Sequence, residues 1–158
     1  MPEALEVLIG QLLNQQHLTL ATAESCTGGL IGHRLTEVPG SSDYFRGGII
    51  AYSNEIKERV LGVSHATLES YGAVSAETAI EMARGARRVL QTDLAVSVTG
   101  IAGPGGGSAD KPIGLTYIAV AAERYERVAR FVWKSDRSGN KQSSSEAALQ
   151  MVIAYLAQ

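Results

Sequence analysis

Cysteine is almost missing from this sequence: Cys26 stands alone. An intramolecular disulfide and an all-cysteine metal site are therefore excluded, and a lone thiol suits a reducing compartment, so a cytoplasmic location is expected. Lysine is scarce as well, with Lys57, Lys111, Lys134 and Lys141 set against ten arginines. A charge excess of either sign is missing: the formal net charge is −2 and the pI ≈ 5.9, which leaves no global basic field for nucleic acid or anionic lipid. No apolar run approaches the ~18 residues of a membrane span. Met1-Pro2-Glu3 is not a basic segment leading into an apolar one, so no secretory leader is expected. The G-x-x-x-x-G-K-[ST], H-E-x-x-H, C-x-x-C and EF-hand patterns do not occur, and Gly103-x-Gly105-x-x-Ser108 lacks the last glycine of a dinucleotide fingerprint. His17, His33 and His65 fall on expected helix surfaces or ends, where a solvated side chain is the ordinary reading. No metal and no cofactor is expected.

What is present is an ordinary globular composition. The chain has 158 residues, 45% hydrophobic and 19% charged. One domain over residues 1–158 is expected, since a chain of this size buries about 70% of its unfolded surface. Leu5, Leu8, Ile9, Leu12 and Leu13 share one helical face. Residues 18–23 read as a strand, Leu30 to Val38 as a helix closed by Pro39-Gly40, and 47–53 as a strand. Asn54 is expected to cap a helix ending near Gly62, a short helix follows at 66–71, and Ser75 is expected to cap one ending near Gln91. Residues 94–98 form a charge-free strand, followed by a glycine-rich loop from Thr99 to Gly114. Residues 115–122 and 127–133 read as paired strands, and Ser143-x-x-Glu146 as the capping box of the last helix. Strands separated by helices, with a final adjacent pair, give an α/β fold: three α/β/α layers around a mixed, mostly parallel sheet.

Seventeen glycines occur, and several cluster at 28–29, 47–48, 100 and 103–107. Glu24-Ser25-Cys26-Thr27-Gly28-Gly29 leaves a strand and enters a helix, the place where α/β proteins bind ligands. A hydroxyl there serves either as a plain helix cap or as a nucleophile. In the second case the N–H groups of Thr27, Gly28 or Gly29 supply an oxyanion hole. Cys26 is a rival nucleophile, although adjacent side chains do not easily face one pocket. A serine needs a base, and no histidine is well placed. Lys57 is expected in the first turn of the helix after Tyr52, where the macrodipole and burial both disfavour an ammonium. The plain alternative is a surface lysine paired with a glutamate, and for Tyr52 a packing residue at a strand end. Thr99 to Pro104 offers small residues and N–H groups to a phosphate or planar ring, or is a flexible surface loop. Arg137 and Lys141 offer cations to a phosphate, or form a solvated charged turn.

These segments together resemble the C-terminal domain of the CinA (competence/damage-inducible) family. The matching pieces are AESCTGG at 23–29, GSSDYFRGGIIAYSNEIK at 40–57, LGV at 61–63, GAVS at 72–75 and SVTGIAGPGGGSADKPIG at 97–114. Longer CinA proteins add an N-terminal domain similar to molybdopterin-binding proteins, and the resemblance here is to the stand-alone form. It implies an α/β/α amidohydrolase that converts nicotinamide mononucleotide to nicotinate mononucleotide and ammonia without metal. It assigns catalysis to Ser25, Lys57 and Tyr52. It places Cys26, Thr27, Gly28, Gly29, Gly48, Thr99, Gly100, Ala102 and Gly103 around the oxyanion and substrate, and Arg137 and Lys141 at the phosphate. The family usually has Gly-Asp-Arg near the C-terminus with an arginine four residues on. Here Ser135-Asp136-Arg137 and Lys141 stand in those places. A small-molecule substrate and a homo-oligomer are expected, with neither nucleic acid nor membrane as partner. The competing reading is a catalytically silent nucleotide-binding or assembly module, and retention of Ser25, Tyr52 and Lys57 together argues against it.

Overall fold

The computed structural model describes residues 2–158. The elements run α1 (Leu5–Gln16), β1 (Leu20–Glu24), α2 (Leu30–Thr36), a 3₁₀ turn (Ser41–Asp43), β2 (Phe45–Ile50), α3 (Asn54–Arg59), α4 (His65–Tyr71), α5 (Ala76–Leu90), β3 (Leu94–Gly100), β4 (Leu115–Ala122), β5 (Tyr125–Val132) and α6 (Arg137–Leu156). The strands form a five-stranded sheet in the order β2-β1-β3-β4-β5. β1 is parallel to β2 and β3, whereas β4 is antiparallel to both its neighbours. The sheet is therefore mixed, with β4 alone reversed. No helix among the described residues is long and apolar enough to cross a membrane.

Strand alternation sorts the two faces by side-chain size. Leu20, Leu94, Val96, Val98, Ile118 and Val120 face Ile9 and Leu13 of α1 and Ala148, Leu149 and Val152 of α6. The opposite face carries Ala21, Ala23 and Ala95 against Met82 and Ala86 of α5, and Ala119 and Ala121 against its Ala79 and Ala83. Alanine on both sides brings α5 close to the sheet. Gly85 extends that approach to the chain after α3, where a Cβ would stand 1.9 Å from the Leu61 carbonyl oxygen.

Some boundaries differ from the sequence reading. The cap of α3 is Ser53, whose hydroxyl accepts from Ile56 N–H, and Asn54 is the first helical residue. Thr99 and Gly100 belong to β3, paired with Tyr117 and Thr116. The last helix starts six residues before Ser143. Asp136 caps it by accepting from Gly139 N–H at 2.8 Å. Ser138, Gly139 and Asn140 are weak helix formers, so local propensity hid this turn. Glu146 bonds Arg34 at 2.9 Å instead of closing a capping box.

β1 lies between β2 and β3. The chain goes from β1 to one side, then crosses over to the other. The carboxyl end of β1 is thus a topological switch point, which opens a crevice between the loops that follow these strands.

Candidate active site

Three strand ends converge there. Ser25 directly follows β1, and its N–H donates to Val98 O of β3 at 3.0 Å. Ala51 and Tyr52 follow β2, and Ala51 N–H donates to Glu24 O at 2.8 Å. Lys57 reaches back from α3 beneath the same turn. The cleft between them encloses about 180 Å³ and is lined by Ser25, Cys26, Tyr52, Asn54, Lys57, Ala73, Val74, Thr99, Gly100, Ala102 and Arg137.

Lys57 is 1% exposed. Its Nζ lies 3.0 Å from Ser25 Oγ, 2.9 Å from Ala51 O and 3.3 Å from Tyr52 O. No carboxylate is among these partners. Two carbonyls can only accept, so they take two N–H protons. A neutral amine has two N–H protons and one lone pair, and the third contact is the Ser25 hydroxyl. An ammonium would donate to all three oxygens; in the neutral form, which burial favours, the lone pair is left to accept from Ser25 Oγ–H. Burial pushes the Lys57 pKa below the ordinary lysine value. The helix macrodipole is not the cause. Lys57 is the fourth residue of a six-residue helix, nearer its carboxyl end.

Cys26 beside it is also buried, and burial pushes its thiol up to about 11. A thiol held protonated and off the amine is a poor nucleophile. Its sulfur covers the end of β3, where a Cβ on Gly100 would stand 3.2 Å from Cys26 Sγ and 2.6 Å from Thr116 Oγ1.

The turn after Ser25 uses its donors unevenly. Gly28 N–H is taken by Ser25 O at 3.1 Å, which removes it from the expected oxyanion hole. Ile31 and Gly32 N–H donate to the Glu24 carboxylate. The N–H groups of Cys26, Thr27 and Gly29 have no acceptor among the described residues. Gly28 and Gly29 have φ of 60° and 102°, which a side chain would resist.

Other expected substrate contacts are used internally. Thr99 Oγ1 donates to Ala73 O at 2.7 Å, tying β3 to the loop before α5. The Thr99–Pro104 segment turns carbonyls toward α6: Ala102 O accepts from Asn140 Nδ2 at 2.9 Å and Gly103 O from Arg137 Nη1 at 2.7 Å. Gly48 does not line the cleft. It sits within β2, where a Cβ would stand 2.2 Å from Thr22 Oγ1, so its role is packing.

Tyr52 is 62% exposed, and its hydroxyl accepts from Arg137 Nη2 at 3.2 Å. Arg137 thereby bridges Tyr52 and the glycine loop across the cleft mouth. On its far side lies a cavity of about 410 Å³ lined by Leu30, Arg137, Ser138, Lys141 and Gln142. The Lys141 ammonium overhangs the Gly28 turn, 3.7 Å from where a Cβ would be.

Asn140 was not singled out in the sequence, because the segment reads there as a charged turn. It is buried, its amide donates to Ala102 O, and its Oδ1 accepts from Ser135 N–H at 3.0 Å. Ala73 and Val74 were visible only as part of the matching GAVS piece. Among the described residues, no group of three or more His, Cys, Asp or Glu is arranged to hold a metal.

Residues 2–156 match the family model for the CinA C-terminal domain. A CinA-like protein of Chlorobium limicola is 50% identical over 157 residues, 96% of this chain and 37% of the relative. One from Chloroherpeton thalassium is 51% identical over 152 residues, 94% of this chain and 36% of the relative. The chain thus spans about a third of the length of these curated relatives. Among solved structures, a competence/damage-inducible protein from Agrobacterium tumefaciens is 41% identical with a TM-score of 0.92, and the match covers 100% of this chain and 98% of that one. A CinA superfamily protein from Enterobacter cloacae is 31% identical with a TM-score of 0.93, covering 96% and 90%. Sequence and fold agree over nearly the whole chain, which belongs to the CinA C-terminal domain family.

Proposed function

We propose that this chain hydrolyses the carboxamide of nicotinamide mononucleotide, releasing ammonia and nicotinate mononucleotide through an acyl-enzyme on Ser25. The observation that carries the reading is the 3.0 Å contact between Ser25 Oγ and a buried Lys57 amine whose other partners are two carbonyls. The reaction type and substrate follow from the family to which the chain belongs.

Lys57 takes the Ser25 proton as Oγ attacks the carboxamide carbon. The oxyanion of the tetrahedral intermediate meets the unspent N–H groups of the turn, those of Cys26, Thr27 and Gly29. The Lys57 ammonium then gives its proton to the leaving nitrogen, the C–N bond breaks, and ammonia departs. Water attacks the ester, again losing a proton to Lys57. Return of that proton to Ser25 Oγ frees the acid and restores the resting pair. Tyr52 accepts from Arg137, so its own O–H proton remains available to the substrate. No step needs a cofactor.

The 180 Å³ cleft suits a ring bearing a carboxamide, not a whole mononucleotide. Ribose and phosphate extend past Arg137 into the 410 Å³ cavity, where Arg137 and Lys141 present cations. The test is ammonia release from nicotinamide mononucleotide by purified protein, with Ser25→Ala as control. Release that depends on Ser25 is expected. Folded wild-type protein that releases no more ammonia than the control would leave a silent binding module as the better reading.

A further inference from the structure

Glu24 is a buried carboxylate, 1% exposed, that the reaction does not use. It precedes the nucleophile, and its backbone is held on both sides, in register with Ile50 of β2 and Val98 of β3. Its side chain reaches over the turn to the next helix. Oε1 accepts from Thr27 Oγ1–H at 2.7 Å and from Ile31 N–H at 2.9 Å, and Oε2 accepts from Gly32 N–H at 3.0 Å. One side chain thus joins the strand before Ser25 to the helix after it, on either side of the turn that holds the nucleophile.

We propose that Glu24, with Thr27 as its relay, is the positioning residue of the nucleophile turn. The proposal rests on the reading of Ser25 as nucleophile. Glu24 does two things there. It spends the first free N–H groups of α2, so developing negative charge at the substrate meets the donors of the turn instead. It also fixes the Cys26–Gly29 segment, whose two positive-φ glycines supply no rigidity of their own. Ser25 is then clamped from both directions, by Val98 O upstream and by Gly28 N–H downstream.

The three donors explain the residue type. Both oxygens must accept, which a glutamine cannot provide, because its amide nitrogen would confront an N–H group. An aspartate is one methylene shorter and cannot reach all three donors from the same backbone. Glu24 is not the base, since none of its hydrogen bonds involves Ser25 Oγ or Lys57 Nζ. The Thr27 hydroxyl gives its one proton to Glu24 and so serves as a support, not as a donor to substrate.

The test compares wild type with Glu24→Gln, Thr27→Ala and Thr27→Ser. Readouts are the rate at which a fluorophosphonate labels Ser25, followed by intact mass, the kcat and KM for nicotinamide mononucleotide, and circular dichroism for the folded fraction. Folded Glu24→Gln is expected to lose roughly 100-fold in labelling rate and in kcat, the scale of a small misplacement of reacting groups. KM and the pH midpoint of labelling stay near wild type, because the cleft wall and Lys57 are unchanged. Thr27→Ala loses part of the rate and Thr27→Ser restores it. Folded Glu24→Gln that labels and turns over at the wild-type rate would reduce Glu24 to a helix cap and overturn the proposal. If Glu24→Gln does not fold, equal labelling of Thr27→Ala and Thr27→Ser overturns it instead. Wild-type protein that labels at Ser25 but releases no ammonia refutes the substrate reading alone, and the labelling series still decides the role of Glu24.

Discussion

Arg137 Nη2 donates to the Tyr52 hydroxyl at 3.2 Å, across the mouth of the cleft that holds Ser25 and Lys57. Its Nη1 holds Gly103 O at the same time. A cation proposed to bind substrate phosphate therefore also braces the two loops on either side of the reacting ring.

Arg137→Ala should show both roles. Loss of a charge-assisted contact raises KM for the mononucleotide by roughly 10-fold or more. Freeing Tyr52 lowers kcat, and this smaller effect is shared by the unphosphorylated nucleoside. Added salt weakens the mononucleotide preference of wild type and has little left to act on in the variant. Steady-state kinetics on both substrates checks this, and equal losses on both would mean that Arg137 supports only the loops.

If Ser25 and Lys57 act as the proposed nucleophile–base unit, Ser25→Ala and Lys57→Ala should each cost about 10³-fold or more, and the double variant little beyond either. The base must be neutral. Burial lowers the Lys57 pKa, so kcat/KM rises with pH through a midpoint below the ordinary lysine value. A pH–rate profile that starts to rise only at the free-lysine value would show that Lys57 is solvated and not the base.

The buried amine also makes stability depend on pH. Folding disfavours the Lys57 ammonium, so this site binds a proton more readily when unfolded. Its penalty is absent above the unfolded lysine pKa of ~10.4 and grows as pH falls toward the lowered folded value. Lys57→Met removes the penalty. Its melting temperature relative to wild type should be most favourable near neutral pH and fall back as pH rises toward 10. Thermal melts across that range check the sign.

Cys26→Ala should retain activity within a few-fold. The thiol is pushed up to about 11 by burial, so almost no thiolate is present at neutral pH. An inactive Cys26→Ala beside an active Ser25→Ala would reverse the assignment of the nucleophile.

Gly85→Ala tests the close approach of α5. Alanine in a helix interior is worth about 1 kcal/mol over glycine. Here its Cβ would stand 1.9 Å from the Leu61 carbonyl oxygen, and the backbone after α3 must shift. A net loss of about 1–3 kcal/mol, the usual scale of overpacking, is expected in denaturant melts. A stabilised variant would show that this contact yields freely.

The sequence by itself determined the elements whose signals are local. The apolar stripe of α1, the charge-free β3, the Ser75 cap and the strand-to-helix turn at Ser25 all follow from neighbouring residues. It also carried the motifs from which Ser25, Tyr52 and Lys57 are proposed as the catalytic set. Only the tertiary structure decided how the groups are used. Whether Lys57 is an ordinary surface lysine or a buried amine depends on burial and on carbonyls five and six residues away in a folded loop. That the Thr99 hydroxyl is already spent, that Asn140 pins the glycine loop, and that Arg137 spans the cleft are contacts between segments far apart in the chain. Local propensity does not contain such contacts: a donor or a charge is free or engaged only once the strands have brought their carboxyl ends together.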